Sequence, residues 1–195
     1  MKGKSIVVFC GSSKGYNSVY GEAAVALGKY FVTHNIQLVF GGGKVGLMGV
    51  LADTMLAEKG KVVGVIPDLL KVEEVVHDGL SEIIVTKTMS ERKVVMSKIV
   101  DAYITLPGGF GTLDEIFEVL TLQQLQIEQK PVGLLNVNGF FNPLLRQLDL
   151  MVTEGFLKPE SRALVLTEET VAGLMKKINS YKSPNKVNII NKVVR

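Results

Sequence analysis

The chain has 195 residues, of which 47% are hydrophobic and 21% charged, a balance that builds one soluble globular domain with a full-sized core. A formal net charge of +3 is too small to argue for a nucleic-acid partner, and no apolar run approaches the roughly 18 residues that span a bilayer. One cysteine, Cys10, excludes an intramolecular disulfide framework or a cysteine-based metal site. The first residues read as lacking a signal peptide, so a reducing cytoplasmic location is expected.

Ser5-Ile6-Val7-Val8-Phe9-Cys10 is a continuous apolar run that reads as a strand buried on both faces. Gly11-Ser12-Ser13-Lys14-Gly15 follows, then a helical pattern over 18–34. A strand at 38–40 leads into Gly41-Gly42-Gly43-Lys44-Val45-Gly46 and a helix over 47–59. Strands are expected at 61–66 and 83–85, with an irregular or short helical stretch over 69–81. Ser90 reads as the cap of a helix reaching 100, and a fifth strand covers 102–106. The next helix runs to about 126 and a sixth strand covers 132–135, ending in the turn signal Asn136-Val137-Asn138-Gly139. A helix over 140–154, an edge strand over 163–166 and a helix over 168–178 complete the pattern. Strictly alternating strands and helices predict a parallel sheet with helices on both faces. Ligands of such sheets bind at the carboxyl ends of the strands.

Three glycine-rich loops fall on that edge, after strands one, two and five. The third, Pro107-Gly108-Gly109-Phe110-Gly111-Thr112, joins a strand to a helix with Leu113, Ile116, Phe117 and Leu120 on one stripe. Glycines there allow positive φ and close approach, and first-turn N–H groups carry partial positive charge, so a phosphate is the natural occupant. A competing reading makes Thr112 the N-cap and Glu115 its capping-box partner, with no ligand involved. Arg92 and Lys93 in a first helical turn oppose the macrodipole, which an anion nearby would balance. Glu115 and Glu118 share a helix face; a carboxylate beside a sugar can stabilise charge at the anomeric carbon or activate water. Ser12 and Ser13 read as hydroxyl donors to a ligand, because no histidine–acid partnership activates them. The second loop matches G-x-G-x-x-G but follows the wrong strand and lacks the ribose-binding acid, which disfavours a dinucleotide site. A P-loop is absent from the sequence, and so is a metal-ligand cluster. His34 and His77 read as surface residues.

Pro107-Gly108-Gly109-Phe110-Gly111-Thr112-Leu113-Asp114-Glu115 resembles the P-G-G-x-G-T-x-x-E signature of the Lonely Guy (LOG) family, cytokinin riboside 5′-monophosphate phosphoribohydrolases. The resemblance extends over nearly the whole chain, through Phe9-Cys10-Gly11-Ser12-Ser13, Gly41-Gly42-Gly43, Glu91-Arg92-Lys93 and Glu154-Gly155-Phe156. It implies hydrolysis of a nucleoside 5′-monophosphate to free base and ribose 5-phosphate, with Arg92 and Glu115 as the catalytic pair. It further implies that Gly108, Gly109, Gly111 and Thr112 hold the phosphate. Gly11, Ser12, Ser13, Gly42, Gly43, Met89, Lys93 and Glu118 are the expected further substrate contacts. No metal or organic cofactor, a homodimer, and neither a nucleic-acid nor a membrane partner are expected. The alternative is a non-catalytic carrier of a nucleotide or molybdopterin-type cofactor on the same fold. The expected fold is a single-domain, Rossmann-like α/β arrangement with six to seven parallel strands over residues 1–180, followed by a basic tail over 181–195.

Overall fold

The computed structural model describes residues 4–71 and 75–183. Seven strands form one parallel sheet: β1 (Ser5–Phe9), β2 (Gln37–Phe40), β3 (Val62–Pro67), β4 (Glu82–Thr86), β5 (Ala102–Thr105), β6 (Val132–Leu135) and β7 (Val165–Glu168), in spatial order β4-β3-β2-β1-β5-β6-β7. Their register runs from Ile6 beside Leu38 on one side to Phe9 beside Thr105 on the other. Between them lie α1 (Ser18–Thr33), α2 (Gly46–Ala57), α3 (Met89–Ile99), α4 (Phe110–Gln124), α5 (Asn142–Thr153), the short α6 (Pro159–Arg162) and α7 (Val171–Ser180). Among the described residues no helix is long and apolar enough to cross a membrane.

The central strand shows why the sheet has two covered faces. All five residues of β1 are buried. Ile6 and Val8 pack with Leu27 and Phe31 of α1, Leu51 and Met55 of α2, and Leu174 of α7. Val7 and Phe9 point the other way, to Met96 of α3, Ile116 of α4 and Leu148 of α5. The period-two alternation of a strand thus divides one apolar run between two cores. Chain order reverses at β1, which has β2 on one side and β5 on the other. The crevice at the carboxyl ends of β1 and β5 is therefore the switch point where open α/β sheets take ligands.

Several boundaries differ from the sequence reading. Helix α3 is capped by Thr88, whose Oγ1 accepts from the Glu91 N–H at 3.0 Å; Ser90 lies inside the first turn. Thr88 and Glu91 hold the Ser/Thr-x-x-Glu spacing of a capping box, although Glu91 Oε2 accepts from the Lys87 N–H, at 2.7 Å. The edge strand expected at 163–166 runs from Val165 to Glu168, because Pro159 starts the short α6 and Ala163 closes it. Helix α7 begins at Val171, where the Thr170 side chain accepts from Gly173 N–H. Most of the basic tail, with Lys186, Lys192 and Arg195, lies outside the described residues.

Candidate active site

Backbone contacts knit the three glycine loops into one surface. Gly11 N–H donates to the Pro107 carbonyl at 3.0 Å, and Leu47 N–H donates to the Gly11 carbonyl at 3.0 Å. Close approach demands glycine at two points. A Cβ on Gly108 would lie 2.1 Å from Thr112 Oγ1 and 2.8 Å from Gly11 N; one on Gly46 would lie 2.2 Å from the Ser12 carbonyl carbon. Over this surface opens a cavity of about 360 Å³. Its floor is Cys10, Gly11, Ser12, Gly41 and Gly43; Met48, Ile66 and Val75 give it an apolar wall; Arg92 and Glu115 face it from α3 and α4.

Helix α4 starts at Phe110 with Gly109 as its cap, and no side chain bonds to the cap. The first intrahelical bond runs from Leu113 N–H to the Gly109 carbonyl at 3.1 Å. Phe110, Gly111 and Thr112 therefore present first-turn amides without a side-chain cap, beside the cavity they line. Thr112 is not the N-cap: it is the third helical residue and 4% exposed, its hydroxyl tucked under Gly108. The capping-box reading of Glu115 falls with it.

Glu115 turns instead toward α3. Its Oε1 lies 3.1 Å from Arg92 Nη2, and both side chains are about one-tenth exposed, at 11% and 10%. Arg92 Nε donates to the Val65 carbonyl at 2.9 Å, which fixes the guanidinium plane. Gly41 makes room for it: a Cβ there would lie 2.4 Å from Nη2. Burial pushes the Glu115 carboxyl above its usual range; the Arg92 charge and hydrogen bond oppose this without cancelling it. A carboxylate so placed is desolvated and faces the Arg92 guanidinium, with Lys93 also favouring its charged form; when ionised it is ready to meet developing positive charge.

Lys93 lines the cavity edge and ties α3 to α4, pairing with Asp114 at 3.0 Å and with Glu118. Of the residues singled out from sequence, Gly11, Ser12, Gly43, Met89, Arg92, Lys93, Gly109, Gly111, Thr112 and Glu115 line the cavity. Ser13, Gly42, Gly108 and Glu118 are not among its lining. Ser13 is exposed and its Oγ accepts from Gly15 N–H at 3.3 Å. Gly42, at φ +77°, backs onto Ile66 and Gly64. Gly41, Met48, Cys10 and Asp114 line the cavity without having been singled out. Gly41 is within reach of sequence reasoning, as the first glycine of the Gly41-Gly42-Gly43 triplet. Burial, and then the nearby Glu115 charge, push the Cys10 thiol up, so it stays protonated.

His34 is exposed and stacks on Tyr30 at 3.8 Å between ring centroids. His77 is not a surface residue: it is 9% exposed, with Nε2 3.0 Å from Asp53 Oδ1. Among the described residues no group of three or more His, Cys, Asp or Glu side chains is placed to hold a metal.

The protein family described as "Possible lysine decarboxylase" matches residues 48–178. The cytokinin riboside 5′-monophosphate phosphoribohydrolase LOG of Oryza sativa subsp. japonica is 42% identical over 187 residues, 96% of this chain and 77% of that protein. The corresponding LOG3 of Arabidopsis thaliana is 45% identical over 180 residues, 92% of this chain and 84% of its own length. Among solved structures, the molybdenum cofactor binding protein from Rippkaea orientalis superposes with a TM-score of 0.68 at 22% identity, covering 100% of this chain and 99% of that one. The molybdenum cofactor carrier protein from Chlamydomonas reinhardtii gives a TM-score of 0.67 at 22% identity, covering 91% and 97%. Likeness at that identity concerns the fold alone, whereas identity above 40% along almost the whole chain fixes the family. This chain belongs to the LOG family.

Proposed function

We propose that this protein hydrolyses the N-glycosidic bond of a nucleoside 5′-monophosphate, cytokinin riboside 5′-monophosphate, AMP or both, giving the free base and ribose 5-phosphate. The observation that carries the reading is the 3.1 Å Arg92–Glu115 pair in the wall of the same cavity as the open start of α4. Names of relatives such as the Oryza sativa LOG enzyme support it.

The 5′-phosphate docks on the amides of Phe110, Gly111 and Thr112, where the helix start favours an anion. Glu115 stands three residues beyond Thr112, about 4.5 Å further along the helix axis, which sets its carboxylate beside the ribose. As the C1′–N bond breaks, the base leaves with the bonding electrons and takes up a proton. Positive charge develops on the ribose ring, and the desolvated Glu115 carboxylate stabilises it. Water bonds to C1′ through its oxygen and gives up a proton, which completes ribose 5-phosphate. Arg92 keeps Glu115 ionised and oriented, and anchors negative charge on the substrate. Phosphate binding remote from the reacting bond is spent on holding C1′ against Glu115.

Chromatography of AMP and isopentenyladenosine monophosphate reactions tests this reading: free base and ribose 5-phosphate are expected, and a cofactor carrier would bind ligand and release no base. A homodimer is part of the proposal. Met89 and Phe110 line the cavity and are 45% and 95% exposed, and Val94 of α3 is 48% exposed, an apolar rim that suits a second copy. Light scattering after size exclusion should give twice the chain mass; a monomer mass refutes this part.

A further inference from the structure

His77 lies outside the cavity, on a segment that runs against the second glycine loop. Two backbone hydrogen bonds join the two and together make one antiparallel bridge. Lys44 N–H donates to the Val75 carbonyl at 3.0 Å and His77 N–H donates to the Gly42 carbonyl at 2.8 Å, which pairs Gly43 with Val76. Val75, Gly41 and Gly43 all line the cavity. The segment therefore holds part of the floor in place.

The imidazole holds the segment in turn. Its Nδ1 is 3.1 Å from the Gly79 N–H, and its Nε2 is 3.0 Å from Asp53 Oδ1. A backbone N–H only donates, so Nδ1 is the acceptor and the ring proton sits on Nε2, donated to Asp53. Asp53 belongs to α2, the helix that starts at Gly46, where the glycine loop ends. The ring thus ties the 75–79 segment, which pairs with the loop, to α2, the helix that continues the loop. A side chain that merely filled space would not engage both ring nitrogens. Beyond the loop, Gly41 packs against the Arg92 guanidinium, so the clamp reaches the proposed catalytic pair through two contacts.

We infer that His77 is a positioning residue: its two ring hydrogen bonds preform the 41–44 loop, whose Gly41 and Gly43 form part of the cavity floor, for the nucleotide. The activity readouts rest on the proposed hydrolase reading; the others do not. Three variants separate the bonds. His77→Ala removes both, His77→Asn keeps an acceptor near Nδ1, and His77→Gln keeps a donor near Nε2. Amide hydrogen exchange over 42–44 and 75–79, calorimetric AMP binding, and KM and kcat for base release are measured for each. His77→Ala should speed exchange at 42–44 and weaken AMP binding and raise KM about tenfold, for two lost hydrogen bonds, with kcat within about threefold of the parent. Asn and Gln should each recover part of the loss. Unchanged exchange and AMP affinity in His77→Ala, or a fall in kcat alone, overturns the inference. If His77→Ala does not fold, Asp53→Ala decides: the Asp53 side chain is 73% exposed, so its removal takes one ring bond and spares the core. A smaller change of the same sign supports the clamp, and no change refutes it. A parent that releases no base would refute the hydrolase reading while leaving exchange and AMP binding to judge His77.

Discussion

Gly41→Ala tests how the Arg92–Glu115 pair is held. The added Cβ would lie 2.4 Å from Arg92 Nη2 and 3.3 Å from Met48 Sδ, and Gly41 is not among the glycines in the left-handed region, so the backbone tolerates alanine. The clash is with the far end of a flexible side chain, and the guanidinium is what moves. Moving it costs the 2.9 Å bond to the Val65 carbonyl and the 3.1 Å contact with Glu115. A charged hydrogen bond contributes about 1.5–3 kcal/mol, so about 3 kcal/mol of transition-state stabilisation should be lost, or roughly 100-fold in kcat/KM. Overpacking should cost stability only ~1–3 kcal/mol. The assay is initial-rate base release from AMP, with urea unfolding alongside. Gly21→Ala is the control: it lies on α1 with nothing within 4 Å of an added Cβ, and should leave kcat/KM unchanged. A Gly41→Ala enzyme within threefold of the parent would refute the packing argument.

Two further outcomes concern pH. Because burial raises the Glu115 carboxyl above the ordinary glutamate range despite Arg92, and its ionised form does the work, the acid limb of kcat/KM should lie above that of an ordinary, solvated glutamate, about 4.3. A limb at or below that value contradicts the desolvated carboxylate. At the opposite side of the fold, burial alone would raise Glu128, but hydrogen bonds from Tyr103, the Gln129 N–H, Lys130 and Ser97 outweigh it and hold the carboxyl down at about 2. A depressed folded-state pKa gives stability that is present above the unfolded value and lost as pH falls from about 4.5 toward about 2, up to ~3 kcal/mol. Urea unfolding at pH 6 and pH 3 should show about 2 kcal/mol of this loss in the parent and much less in Glu128→Gln; equal losses would refute it.

The sheet was legible because its strands are short apolar runs separated by helical periodicity, and burial on both faces leaves little choice for a run such as Ile6-Val7-Val8-Phe9. The pairing of Arg92 with Glu115 was also within reach: both sit near helix starts on the ligand edge, so topology brings together residues 23 positions apart. Caps were harder. Thr88 and Ser90 are both hydroxyl residues two positions apart, and only the bond from Glu91 N–H selects Thr88. Thr112 looked like a cap by residue type, but the turn through Gly108 and Gly109 starts the helix earlier and buries the threonine. The burial of His77 is not legible in sequence, because its partner, Asp53, lies 24 residues away on another element and no local pattern announces such a contact.

The most direct measurement compares parent and Glu115→Gln on AMP and isopentenyladenosine monophosphate, following free base by chromatography and ligand affinity by calorimetry. Glutamine keeps the shape and an acceptor for Arg92 but removes the charge. The expected result is base and ribose 5-phosphate in equal amounts from the parent, and a rate about 10²–10³-fold lower in the variant with nucleotide affinity nearly kept. A folded Glu115→Gln enzyme that releases base at the parental rate would contradict the assignment.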